Sequence, residues 1–203
     1  MRYLLFGASS TFGVGDPEFG GWSTRLQFYL DKQEGARLFH NLAISGNTTK
    51  DLLRRFSQEA KERIRDKPKK QWTTFFSLGT NDASRVDGVS KVSEEDYENN
   101  LHELLRQAKA LVSRVVVLSG FPIIEEVCNP FKPGLYFLNK DIFYYDKILQ
   151  RVCEKEGVEY FSVFNKFSNH TEKTSLYSSD GLHLSVKGHE LYFSLIRDYL
   201  EKN

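Results

Sequence analysis

Residues 2–15 read RYLLFGASSTFGVG, an apolar run of strand length that stops abruptly in glycine and hydroxyl-bearing residues. Such a run followed by such a turn predicts a buried strand that delivers a tight loop to a helix. In open α/β sheets, ligands bind at the carboxyl ends of the strands. The stretch therefore predicts that Ser9 is held, almost unshielded, at the mouth of a cleft.

The same unit of strand, turn and helix recurs along the chain. Further strands are predicted over residues 36–42, 72–78, 114–119 and 158–163. Helices are predicted over 22–30, 49–65, 93–112 and 140–156 and after residue 185, with Ser93 and Ser185 as N-caps. Strands that alternate with helices predict an α/β fold, a three-layer α/β/α sandwich around a mostly parallel five-stranded sheet.

Length and composition predict one domain over residues 1–203, because 203 residues with 40% hydrophobic side chains can bury a sizeable core. The 28 Lys and Arg residues nearly balance the 27 Asp and Glu residues, so no overall field recruits nucleic acid or an anionic membrane. We expect a cytoplasmic protein, because the sequence contains neither a signal peptide nor an apolar span of membrane length. The sequence does not indicate an oligomeric state.

The sequence gives no sign of a cofactor or a metal. The glycines at Gly13 and Gly15 lack the third glycine of a dinucleotide fingerprint, and no Gly-Lys-Ser/Thr phosphate loop occurs. Four of the histidines, His40, His102, His170 and His189, form no metal-like spacing with each other or with cysteine. Among these, His189 is predicted to be a helix-face residue.

Residues that could perform nucleophilic chemistry stand in four separate turns. Ser9 is a weak nucleophile unless a base lies within hydrogen-bond reach. His183 is the best candidate base, since it lies in a loop just before a helix and three residues after Asp180, whose carboxylate could orient the imidazole ring. Gly46 can present a backbone N–H, and Asn81 an amide N–H. With the N–H of Ser9, these two donors would form an oxyanion hole.

The order of these turns resembles the SGNH hydrolases, also called GDSL-like lipases or acylhydrolases. The resemblance spans nearly the whole chain and is carried by four blocks: Gly7-Ala-Ser-Ser-Thr-Phe-Gly13, Asn41-Leu-Ala-Ile-Ser-Gly-Asn-Thr48, Gly79-Thr-Asn-Asp82 and Asp180-Gly-Leu-His183. It implies a flavodoxin-like SGNH hydrolase fold, with Ser9, His183 and Asp180 as the catalytic triad. It also implies that Ser9, Gly46 and Asn81 supply the oxyanion hole.

One departure from the family pattern lies at the nucleophile loop. The acidic residue that precedes the serine in the family is Ala8 here, and the leucine that follows it is Ser10. The triad acid is Asp180, so the loss at position 8 need not abolish activity, although it could loosen the loop that aims Ser9. Ser10 is a rival nucleophile, but the alignment of the following Thr11 and Gly13 favours Ser9.

The resemblance implies a serine esterase that forms an acyl-enzyme and acts on a small-molecule ester, with a short acyl group such as O-acetyl as the first expectation. Lysophospholipase, thioesterase and acyltransferase activities with the same triad are alternatives, as is a non-catalytic ligand-binding module on the same scaffold. Residues 123–134 are predicted to form a loop over the cleft. The aromatic residues that follow it, between Phe131 and Tyr144, could be core or could wall a lipophilic or sugar-stacking site.

Overall fold

A computed structural model describes residues 2–33, 38–65 and 68–202 of the chain. The described residues form eight strands: β1 (Arg2–Phe6), β2 (Phe39–Asn41), β3 (Trp72–Ser77), β4 (Arg85–Val86), β5 (Val89–Ser90), β6 (Arg114–Leu118), β7 (Leu135–Tyr136) and β8 (Glu159–Phe161). They also form nine α-helices: α1 (Ser9–Phe12), α2 (Gly21–Lys32), α3 (Thr49–Ile64), α4 (Thr80–Ala83), α5 (Glu94–Leu111), α6 (Glu125–Cys128), α7 (Asn139–Glu156), α8 (Phe164–Ser168) and α9 (Val186–Lys202). Short 3-10 turns occupy Lys69–Gln71 and Lys173–Leu176.

The main sheet has five strands in the order β2-β1-β3-β6-β8, and every neighbouring pair is parallel. Residue Leu4 of β1 aligns with His40 of β2 and with Thr74 of β3. The α/β fold with a five-stranded parallel sheet is therefore confirmed. Of the predicted second strand, residues 36 and 37 lie outside the described residues.

Both faces of the sheet are covered, because side chains alternate along each strand. Leu4 and Phe6 of β1 belong to the larger core cluster, which α3, α5 and α7 close. Tyr3 and Leu5 point the other way into a second cluster, which α2 and α9 close. The three predicted layers follow from this alternation.

The helix starts follow local capping chemistry. Thr48 Oγ1 accepts a hydrogen bond from the backbone N–H of Asp51 at 3.3 Å, and an Asp51 carboxylate oxygen accepts one from the Thr48 N–H at 3.0 Å, which makes a capping box at the start of α3. The predicted caps are present as well: Ser93 Oγ accepts from the Asp96 N–H at 3.1 Å, and Ser185 Oγ accepts from the Gly188 N–H at 3.3 Å.

A second, antiparallel sheet was not predicted. Its strands have the order β5-β4-β7, and each is two residues long. The prediction of an irregular loop over 123–134 was wrong in part, because the short helix α6 interrupts it and buries Cys128. Among the described residues, no helix combines the length and the apolar character needed to cross a membrane.

Candidate active site

Ser9 is the first residue of α1, at the carboxyl end of β1. Close packing fixes the turn that carries it, since a Cβ on Gly7 would lie 2.2 Å from Thr11 Oγ1. The helix stops after one turn at Gly13, which has a φ of 106° and donates its N–H to the Ser9 carbonyl at 3.0 Å. Asn41 Nδ2 steadies the turn by donating to the Thr11 carbonyl at 3.0 Å. Gly7, Gly13 and Asn41 thus fix the backbone of the turn that carries Ser9.

Asp180 and His183 form a hydrogen-bonded pair in one turn, as their spacing predicted. The Asp180 Oδ2 to His183 Nδ1 distance is 2.6 Å, and Asp180 Oδ1 accepts from the backbone N–H groups of Leu182 and His183, each at 2.9 Å. Ser178 Oγ donates to the same oxygen at 2.8 Å. The backbone and side-chain donors therefore hold the carboxylate in one orientation toward the imidazole.

The charge state of Asp180 sets the tautomer of His183. Burial disfavours the ionised carboxyl, but the hydrogen bonds from the His183 ring, the backbone and Ser178 outweigh it and lower the pKa of Asp180 to about 2. An ionised carboxylate only accepts hydrogen bonds, so the proton of a neutral His183 ring lies on Nδ1. Nε2 is then left with a lone pair, which is the arrangement that a general base requires.

Ser9 and His183 line the same small cavity of about 50 Å³ and the same adjoining cleft of about 440 Å³. Within the part of the chain that the structure describes, no hydrogen bond joins Ser9 Oγ to the His183 ring. Bonds of this kind often tighten only when substrate binds. The structure therefore brings the two predicted groups to one site with the ring held by Asp180.

The three predicted oxyanion donors lie around this site. Asn81, in the short helix α4 after β3, donates one Nδ2 hydrogen to the Asn47 carbonyl at 3.1 Å and lines both the cavity and the cleft. An amide nitrogen carries a second hydrogen, which this bond leaves available. Among the described residues, no acceptor is hydrogen-bonded to the backbone N–H of Ser9 or of Gly46.

Gly46 lies in open space, since a Cβ there would meet no protein atom within 4 Å. The backbone φ of Gly46 is 80°, a left-handed conformation that other residues adopt at a cost. The glycine is therefore favoured by the backbone shape of this loop, which lines the cleft.

Asp82, to which sequence reasoning gave no role, joins the two loops that carry these donors. It is fully buried, and its Oδ1 accepts from the Thr49 N–H at 2.8 Å and from Thr49 Oγ1 at 2.6 Å. Thr49 begins the helix that follows the Gly46 loop, and Asp82 directly follows Asn81. The only signal in the sequence was its position beside that asparagine.

His189 ties the last helix to the loop between α1 and α2. The side chain is fully buried; Nδ1 accepts from the Trp22 N–H at 3.2 Å, and Nε2 lies 2.9 Å from the Val14 carbonyl. Burial lowers the pKa of His189, which favours the neutral ring that this pair of bonds requires. The residue does lie on the helix, as predicted, but its ring fixes a loop that packs beside His183.

Ser10, the rival nucleophile, is placed differently from Ser9. Its hydroxyl is buried without a hydrogen-bond partner among the described residues, and Ser10 lines the inner cavity but not the cleft. Ser9 lines the cavity and the cleft together. At position 8, the alanine supplies no side-chain cap to α1, which leaves the turn to the contacts of Gly13 and Asn41.

The aromatic residues after the loop divide into two groups. Phe131 and Phe137 meet edge to face at 5.8 Å, and both line the cleft. Phe131 also lies 6.0 Å from the His183 ring. By contrast, Tyr136, Phe143 and Tyr144 are 40–48% exposed and do not line it. The aromatic residues therefore do not all belong to the core, and they do not all line the cleft.

Metal-ligating side chains are dispersed in the described part of the chain, where no group of three or more His, Cys, Asp or Glu residues is arranged to hold an ion. Cys128 and Cys153 are buried and unpaired. Burial raises the pKa of Cys128 to about 11 and of Cys153 to about 12, so both are protonated thiols at neutral pH.

Known proteins share this sequence pattern. The family model of the GDSL-like lipase/acylhydrolase family matches residues 5–191. A human isoamyl acetate-hydrolyzing esterase 1 homolog is 29% identical over 214 residues, which cover 99% of this chain and 82% of that protein. An acetylxylan esterase from Geobacillus stearothermophilus is 26% identical over 157 residues, 73% of this chain and 65% of that protein.

Solved structures share the fold. A lipase/acylhydrolase from Enterococcus faecalis superposes with a TM-score of 0.76 at 22% identity, covering 99% of this chain and 95% of that one. The acetylxylan esterase Axe2 from Geobacillus stearothermophilus gives a TM-score of 0.73 at 20% identity, covering 96% and 91%. At these identities the likeness concerns the α/β architecture.

Proposed function

Because this chain belongs to the GDSL-like lipase/acylhydrolase family and is a carboxylic ester hydrolase, we propose that it cleaves short-acyl esters through Ser9, His183 and Asp180. One observation carries the proposal. The His183 ring, hydrogen-bonded to Asp180, lines the same cavity as a serine at the start of a one-turn helix.

The proposed reaction has two steps. In the first, Nε2 of His183 takes the proton from Ser9 Oγ as that oxygen attacks the ester carbonyl, and the same proton then passes to the leaving alcohol. The products are the free alcohol and an acyl group joined to Ser9. In the second step, His183 takes a proton from water, the hydroxide attacks the acyl-enzyme, and the proton returns to Ser9 Oγ as the acid leaves.

The oxyanion of both steps would be held by three donors. These are the N–H of Ser9, the N–H of Gly46 and the Asn81 hydrogen that the Asn47 carbonyl does not take. Donors that are in place before the reaction stabilise the charge without a reorganisation cost. The glycine turn at 46 and the Asp82 bond to Thr49 hold two of the donor loops in position.

The size of the inner cavity supports a short acyl group. A water needs about 10–15 Å³ of such space, so 50 Å³ admits about three to five water-sized groups. An acetyl group has three heavy atoms, which matches this room. The names of the relatives refer to isoamyl acetate and acetylxylan, both acetate esters. The open cleft of about 440 Å³ would then receive the alcohol part.

The proposal is tested with p-nitrophenyl acetate, wild type, Ser9→Ala and His183→Ala, and Ser10→Ala as the matched control. We expect turnover to fall about 10³-fold or more in the first two variants and to persist in the control. Circular dichroism checks that each variant folds. Labelling of wild type but not Ser9→Ala by a fluorophosphonate identifies the nucleophile independently.

A folded wild type that neither hydrolyses the ester nor reacts with the fluorophosphonate would refute the proposal and favour a non-catalytic binding module. Loss of activity in Ser10→Ala alone would move the nucleophile to that residue. Adding an alcohol acceptor to the assay and identifying the products separates hydrolysis from acyl transfer.

A further inference from the structure

The charges that line the cleft have one sign. Its charged lining residues are Lys91 and Lys132, and no carboxylate lines it among the described residues. The inner cavity, by contrast, is lined by no lysine, arginine or carboxylate from those residues. A charged group of a ligand would therefore find its oppositely charged partners in the cleft and not in the inner cavity.

Each lysine is anchored at the edge of the cleft by the small antiparallel sheet. Lys91 follows β5, and its Nζ donates to the Gly46 carbonyl at 3.3 Å. Lys132 lies in an isolated bridge with Leu135, the first residue of β7. Both side chains are exposed, so their ammonium groups are available to a ligand.

Neither ammonium group forms an ion pair within 4 Å in the described part of the chain. Lys91 lies close enough to Asp51 and Asp82 to interact electrostatically with both. Both carboxylates also have partners of their own, Thr48 for the first and Thr49 for the second. Both lysines therefore offer positive charge to a ligand in the cleft.

The rest of the cleft wall is largely apolar. Phe131, Leu135, Phe137 and Leu182 line it together with the two lysines and Ser9. An apolar wall with a cationic rim is complementary to a molecule with an apolar body and a negative group.

We infer that the cleft selects esters whose alcohol part carries an anionic group, a carboxylate or a phosphate, which Lys91 and Lys132 bind. The inference rests on the proposed function, because it assigns the acyl part to the inner cavity and the alcohol part to the cleft. It makes the two lysines specificity-determining residues for the leaving alcohol.

The experiment compares two acetate esters whose alcohol parts differ in charge, 4-acetoxybenzoate and its neutral methyl ester. The quantity measured is the ratio of their kcat/KM values, anionic over neutral, for wild type, Lys91→Gln, Lys132→Gln and the double variant. Exposed ion pairs are worth about 0.2–1 kcal/mol each, so each substitution should lower the ratio about 1.5–5-fold and the double substitution about 2–25-fold. The exposed Lys166 of α8 does not line the cleft, so Lys166→Gln is the control and should leave the ratio unchanged.

Two further measurements distinguish an effect of the lysine charges from an effect of the lysine side-chain shape. Added salt should lower kcat/KM for the anionic ester in wild type more than in the double variant, because salt screens exposed charges. The conservative Lys132→Arg variant should keep the wild-type ratio. An unchanged ratio in the folded double variant, with both esters hydrolysed, overturns this inference alone. If wild type hydrolyses neither ester, the proposed function fails and the inference fails with it.

Discussion

Asp82→Ala should damage catalysis although Asp82 lies outside the cavity and the cleft. The substitution removes the acceptor of two buried hydrogen bonds from Thr49, at 2.8 and 2.6 Å. A buried donor left unpaired costs about 1–3 kcal/mol, so we expect the loss of both bonds to lower the free energy of unfolding by about 2–6 kcal/mol. Asn81 and the Gly46 loop lose their common tether, and a small misplacement of catalytic groups costs up to about 10²-fold in rate. We therefore expect kcat to fall about 10–100-fold.

The assay is hydrolysis of p-nitrophenyl acetate at saturating ester, with urea unfolding measured on the same samples. The matched control is Asp146→Ala, which removes another buried carboxylate, one that accepts from Tyr160 at 2.7 Å. Asp146 lines neither the cavity nor the cleft. The control should lose stability in the same way and keep kcat within about twofold, since both variants lose a buried hydrogen bond but only one touches the donor loops.

Equal losses of kcat in the Asp82 and Asp146 variants would refute the positioning role and reduce Asp82 to a stability residue. If Asp82→Ala does not fold, Asp82→Asn decides the matter, because its amide oxygen can still accept from Thr49. That variant should retain most of kcat, and a loss of about 10-fold or more would contradict the reasoning.

Three further outcomes are expected. Asp180→Asn would place an N–H against His183 Nδ1 and force the ring proton onto Nε2, so kcat should fall about 10⁴-fold. A loss of kcat under about tenfold in the purified variant would contradict the tautomer with the proton on Nδ1. Among p-nitrophenyl esters, kcat/KM should be about 5–150-fold lower for butyrate and hexanoate than for acetate, because overpacking a cavity of 50 Å³ costs about 1–3 kcal/mol. Equal kcat/KM values would mean that the acyl chain does not lie in this cavity. Hydrogen bonds from Lys109 and His102 lower the pKa of Glu156 to about 2, so the stability that this carboxylate adds above its ordinary pKa of 4.5 should be lost as the pH falls from about 4.5 to 2. Glu156→Gln should flatten that part of the curve of unfolding free energy against pH, and an unchanged slope would show that other carboxylates set it.

The sequence predicted the main sheet because its signals are local and repeated. Each long strand is an apolar run that ends in a turn, and the capping residues Ser93 and Ser185 mark helix starts within a few residues of their partners. The pairing of Asp180 with His183 was accessible for the same reason, since three residues separate them.

The features that sequence reasoning missed depend on contacts between distant segments. Strands of two residues carry no periodicity, so the pairing of Val86 with Val89 and with Leu135 leaves no pattern in the sequence. The hydrogen bonds of Asp82 with Thr49 and of His189 with Val14 join residues 33 and 175 positions apart. A polar residue that is buried by a distant partner looks like any polar residue until the fold is known.

The antiparallel sheet allows the cleft wall to vary while the residues proposed for catalysis stay in place. Its strands come from two excursions of the chain, 85–90 and 135–136, and none of the residues proposed for catalysis lies on them. Replacement of these segments would alter the wall of the cleft, where we place the leaving alcohol, without moving the strands that aim Ser9 and Asn81. The two excursions are not independent, however, because β4 pairs with both β5 and β7. New substrate preferences should therefore arise through paired changes in both segments, and a graft of one segment alone would leave an unmatched edge over the cleft.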